Sequence, residues 1–209
     1  MPRRSQVDHG AMTGMREALT NGRTWALAVA FFAIVFGLYP LAFFLPTMTE
    51  NLSSTIGSAA NVSSVLLAAL PSVAAIVVMV LWSRIALRRS AVFSTTIPMA
   101  FGAVGLVCAT FTQNGVLFII AVCVSISGIY TAMPQFWRIP ALSLTGAAAA
   151  TGIGLINSVS NLSGFVGPYV TGAVETETGS YTYALLAIAA APLSTARAGV
   201  PSRNRGELS

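Results

Sequence analysis

The sequence predicts an all-α membrane protein with six transmembrane helices arranged as a 3+3 inverted repeat. Three observations predict it. Six apolar segments divide the chain. Of its 209 residues 55% are hydrophobic and only 8% charged, where soluble domains average roughly a quarter charged. All eleven basic residues are arginines, and they occupy only alternate gaps between the segments. Arg3, Arg4, Arg16 and Arg23 precede the first segment, and Arg84, Arg88 and Arg89 follow the second. Arg138 follows the fourth, and Arg197, Arg203 and Arg205 follow the last. Short basic loops stay on the cytoplasmic side of a membrane. The alternation therefore implies an even number of crossings, with both termini cytoplasmic. A net charge of +5 could otherwise suggest nucleic acid. The arginines are dealt out by topology and form no contiguous patch, so no nucleic-acid partner is expected.

Residues 1–23 form a polar cytoplasmic segment. The bundle covers 24–196, with spans near 25–48, 61–82, 91–110, 115–137, 147–174 and 181–196, and 197–209 is a cytoplasmic tail. A helical crossing needs about 20 apolar residues. The first five meet this. The sixth is short and carries Pro192 near its end, and counts as a crossing because the last arginines must return inside. Barrel strands would show ten-residue alternation, which is absent, so helices are the spanning form. Trp25, Trp82 and Trp137 fall at the cytoplasmic ends, where amphipathic rings belong. Gly37-Leu38-Tyr39 in the first span is echoed by Gly128-Ile129-Tyr130 in the fourth. An odd separation reverses the crossing direction, so the two triplets would be an inverted pair.

Chemistry within the spans rests on few residues. Asn157 and Asn161 lie four apart and share a helix face, which Gly164 and Pro168 continue. One reading is a cavity wall that hydrogen-bonds a polar solute. The other is amide-to-helix packing. Gly146, Ala150, Gly154 and Ser158 form a second row that reads as packing alone. In the fourth span Cys123, Ser127, Tyr130, Pro134 and Trp137 share a face. Tyr130 and its counterpart Tyr39 read either as solute-facing phenols or as core aromatics. Cys108 and Cys123 lie in apolar runs and read as packing residues. No Asp, Glu, Lys, Arg or His lies deep in a span, and the single histidine, His9, precedes the first. Without a metal-ligand cluster, nucleophile–base pair or phosphate loop, neither enzyme activity nor a metal or cofactor is expected.

Several motifs occur in an order that resembles a known family. Arg16-Glu17-Ala18-Leu19-Thr20-Asn21, Trp25 and Gly37-Leu38-Tyr39 through Leu45-Pro46 are similar to the entry and body of a seventh transmembrane helix. Gly128-Ile129-Tyr130, Pro134, Phe136-Trp137 and Pro140 are similar to a tenth, and Gly152-Ile153 through Pro168-Tyr169 to an eleventh. Gly179-Ser180-Tyr181 resembles the turn into a twelfth. Together, over about residues 15–190, they resemble the C-terminal six-helix half of the anion:cation symporters, the phthalate, tartrate and hydroxyphenylacetate permeases of the major facilitator superfamily. The loop Ser83-Arg84-Ile85-Ala86-Leu87-Arg88-Arg89 departs from that family in lacking an acid and a glycine. Arg138 stands where the family usually has an apolar residue.

The resemblance implies transport of small organic anions, proton- or cation-coupled when complete, in a bacterial inner membrane. Tyr39, Tyr130, Asn157 and Asn161 would line this half of the cavity. The counter-charge and coupling group would lie in a complementary N-terminal half or a second copy. The alternative is a truncated, non-transporting remnant or accessory membrane protein. Half of a multidrug-type exporter ranks below both.

Overall fold

The structure is a computed structural model. It describes residues 16, 19–56, 60–112, 114–144 and 146–179; the side chains of 44–68, 143 and 146–148 are not described. The expected sixth span at 181–196, the tail and most of the N-terminal segment lie outside the described residues. Among the described residues seven helices follow in order: α1 (Gly22–Ile56), α2 (Ala60–Ala86), α3 (Ala91–Phe111), α4 (Gly115–Phe136), α5 (Arg138–Ser143), α6 (Gly146–Asn161) and α7 (Ser163–Thr178). Among the described residues four stretches are long and apolar enough to cross a membrane: Gly22–Phe43, Ala69–Ala86, Ala91–Phe111 and Gly115–Leu142. The chain is an all-α, multi-pass membrane protein in contact with the bilayer.

Helix starts follow local chemistry. Ser90 caps α3 by accepting from the Phe93 amide at 3.3 Å. Asn114 caps α4 by accepting from the amides of Val116 (2.9 Å) and Leu117 (3.3 Å). Each side-chain oxygen takes N–H groups that a first helical turn leaves unpaired. Helix α1 continues to Ile56, past the expected end at 48. Polar residues on that stretch do not stop a helix, and the first glycine after Gly37 is Gly57.

The closest helix pair is α3 with α4, and small residues make it possible. A Cβ on Gly105 would lie 2.7 Å from the Ala121 carbonyl oxygen, and one on Gly128 would lie 2.6 Å from the Gly102 nitrogen. Two backbones meet directly there, as small residues allow in membranes, where no hydrophobic effect drives helices together. The second triplet's glycine is thus fixed by this contact. Helix α4 also packs on α2, whereas α2 and α3 scarcely touch along their lengths. On the other side α1 packs on α6 and α7.

These contacts give the relative directions of crossing. Thr24 lies against Gly152, Tyr39 against Gly164 and Pro40 against Gly167, so α1 runs parallel to α6–α7. Gly105 meets Ala121 while Gly128 meets Gly102, so α3 and α4 are antiparallel. Both relations match the arginine alternation.

The expected fifth span is not one helix. It divides at Leu162 into α6 and α7, each of 16 residues. Around the break the backbone tightens to i−3 bonds: Leu162 N–H donates to Val159 O and Phe165 N–H to Leu162 O. The hydroxyl of Ser160 donates to Ile156 O and that of Ser163 to Ser160 O. Such back-bonding competes for helix carbonyls and bends helices. Pro168 removes the N–H that Gly164 O would accept.

Candidate functional site

The four candidate solute-facing residues do not share one environment. Tyr39 is half-buried, and its ring fills the space beside Gly164, where a Cβ would sit 3.0 Å from Cζ. That is the environment of a packing aromatic between α1 and α7. Tyr130, its expected counterpart, is 40% exposed on α4. Asn157 and Asn161 are exposed on α6. Among the described residues the Tyr130 hydroxyl and both amides have no hydrogen-bond partner. The packing alternative for the asparagines required bonds to neighbouring helices, and none occurs within the described bundle.

The exposed surface around these amides is distinctive. Ala150, Gly154 and Ser158, expected to be packed, are all exposed, and nothing lies within 4 Å of a Cβ added at Gly154. Beyond the break, Phe165 and Tyr169 stack at 5.9 Å between centroids while 73% and 67% exposed. Cys108 is exposed on α3 rather than packed, and Cys123 is half-buried.

A second feature lies between α2, α3 and α4. An open cleft of about 390 Å³ is lined by Val78, Trp82, Phe101, Cys123, Ser127 and Thr131, among others. Thr131 is wholly buried, and its hydroxyl has no partner, as is also true of Ser125 and Thr24. Thus two of the five residues on the expected face of the fourth span, Cys123 and Ser127, line this cleft, whereas Tyr130, Pro134 and Trp137 do not.

The arginine-bearing gaps after the second and fourth spans meet at one end of the bundle. Phe31 stacks on Phe136 at 4.7 Å and meets Trp137 edge-on at 4.9 Å. The Trp82 indole N–H donates to Ser94 O at 3.0 Å. Arg138 reaches back to the end of α2, where Nη1 donates to Ala86 O at 2.9 Å. Its Nη2 donates to Arg89 O at 3.4 Å. Sequence reasoning assigned Arg138 to topology alone. Its signal was there: a single arginine where the resembled family is apolar.

The comparisons with known proteins agree with this architecture. The family model described as Major Facilitator Superfamily matches residues 2–168. A protein of Agrobacterium vitis named for tartrate transport is 33% identical over 89% of this chain and 40% of its own length. Escherichia coli inner membrane transport protein RhmT is 33% identical over 89% of this chain and 43% of its own. A quinolone resistance transporter of Acinetobacter baumannii is 29% identical over 78% of this chain and 37% of its own. The chain spans about two fifths of the length of these relatives. With the family model covering most of its residues, the chain belongs to the Major Facilitator Superfamily, a family of membrane transporters rather than enzymes.

Proposed function

We propose that this chain forms one six-span bundle of a secondary transporter for small organic anions, in a bacterial inner membrane with its arginine end cytoplasmic. The carrying observation is the exposed face of α6, where two amides without partners lie beside a row of small residues. An amide facing lipid is unfavourable. A second bundle packed on Ala150, Gly154 and Ser158 would place Asn157 and Asn161 at a bundle–bundle cavity instead. Amide N–H groups and the Tyr130 hydroxyl donate hydrogen bonds to a carboxylate. The relative named for tartrate transport supports this substrate class. The quinolone resistance relative is the observation that keeps a larger aromatic acid in view.

The contact pattern supports a 3+3 inverted arrangement. The fourth span packs on the second and third, and the first packs on the fifth; exchanging spans 1–3 with 4–6 maps the second–fourth contact onto the fifth–first. Alternating access by two bundles rocking about a midplane site follows from such repeats. The described spans hold no ionisable group at depth except tyrosine and cysteine. Counter-charge and coupling proton or cation would come from the second bundle, whether from a longer chain, a separate chain or a second copy.

The test is uptake of labelled tartrate into proteoliposomes. This chain alone is expected to give no concentrative uptake, and uptake with it alone would overturn the two-bundle reading. Together with a complementary N-terminal bundle, Asn157→Leu/Asn161→Leu should lower uptake about tenfold or more, the loss expected for hydrogen bonds to a charged ligand. Unchanged uptake would remove these residues from the site.

A further inference from the structure

One backbone carbonyl holds four segments together at the arginine end. Ala86 O, at the end of α2, accepts from the Arg89 amide at 3.1 Å. It also accepts from the Ser94 hydroxyl of α3 at 3.4 Å and from Arg138 Nη1, past the end of α4, at 2.9 Å. Arg138 Nη1 further donates to Gln135 Oε1 at 3.3 Å. The last carbonyls of a helix have no intrahelical partner. Helix α2 ends at Ala86 and α4 at Phe136. The Arg138 guanidinium bonds the last carbonyl of the one and the Gln135 side chain in the last turn of the other, where a cation is favoured by the helix dipole. No Asp or Glu occurs between Glu50 and Glu175. The charge of Arg138 therefore has only carbonyl-type oxygens to meet within these spans and loops.

The neighbouring cleft gives this tie a consequence. Helices α2 and α3 scarcely touch along their lengths, so the hydrogen bonds at this end are what tie them together beside the cleft. Trp82 lines the cleft and is itself bonded to Ser94 O at 3.0 Å. Inside, the buried Thr131 hydroxyl lacks a partner that water would supply on opening.

We propose that Arg138 is a positioning residue that pins the ends of α2, α3 and α4, and that its release opens the cleft around Cys123 at the arginine end. This does not rest on the transport reading, since neither solute nor second bundle enters the test. In nanodiscs holding the full chain with Cys108→Ser, a water-soluble maleimide reports on Cys123. Arg138→Gln should raise the Cys123 labelling rate about tenfold, as for loss of charge-assisted bonds. Arg138→Lys, which keeps the charge but lacks the two-pronged guanidinium, should fall between. In the Cys123→Ser counterpart, labelling of Cys108 should stay unchanged, whereas general loosening would raise both.

Spin labels at Leu87→Cys and Leu142→Cys, both highly exposed, give a second readout in a background without the native cysteines. Their distance distribution should lengthen and broaden in Arg138→Gln. Equal Cys123 rates and superposable distances in wild type and variants would overturn the proposal. So would a parallel rise at Cys108. If Arg138→Gln does not fold, a wild-type Cys123 rate in Arg138→Lys overturns it equally.

Discussion

Helices α3 and α4, as one pair, and α6 and α7, as another, are built from similar small residues, yet the outer face of α6 uses them in the opposite way. The inner face of α6–α7 does not, for Gly152, Gly164 and Gly167 pack inside the bundle on Leu144, Tyr39 and Pro40. In the first pair, glycines are consumed by the bundle: Gly102, Gly105 and Gly128 bring two backbones into contact. On the outer face of α6, Gly154 meets nothing and the amides beside it are unbonded. Small residues in a membrane helix mark a close approach, but they do not say whether the partner is inside the bundle or outside it. The difference separates residues that hold this fold from residues offered to something else.

That contrast can be broken at its strong side first. Gly128→Leu should lower stability by about 3 kcal/mol, the upper range for overpacking, seen as a lower unfolding midpoint in detergent. A wild-type midpoint would show that α3 and α4 are not in backbone contact. Trp82→Phe should cost about 1 kcal/mol by leaving Ser94 O one donor short, read in the same assay. Thr131→Val, nearly isosteric, should gain up to about 1 kcal/mol, because it removes a buried hydroxyl without a partner. At the weak side, Gly154→Leu should change the midpoint by less than about 0.5 kcal/mol, as for surface positions. It should still impair association with a second bundle in co-purification. A large destabilisation by Gly154→Leu would mean that this face is packed within the chain.

Much of the topology was legible in the sequence, because charge placement depends on the membrane rather than on packing detail. The stretch Arg84–Arg89 and Arg138, assigned to one side by alternation, are joined by hydrogen bonds. The parallel course of the first and fifth spans follows from the same pattern. Less legible was the break at Leu162, where no proline or glycine stands. It arises from serine hydroxyls competing for carbonyls on either side, an effect spread over several residues. Tyr39 and Tyr130 share a triplet but not an environment. What surrounds each ring depends on the opposite helix, Gly164 in one case, and local sequence carries no record of that.

The length of α1 has a mechanical consequence. Its 35 residues extend about 52 Å at the usual rise per residue, against a hydrocarbon layer of about 30 Å. Such a rod acts as a lever arm. Gripped at Phe31 by Phe136 and Trp137, with 25 residues from there to Ile56, it converts a tilt of about 10° into a sweep of roughly 6.5 Å at its far tip. A small adjustment at the arginine end would thus be read out, magnified, on the opposite face of the membrane.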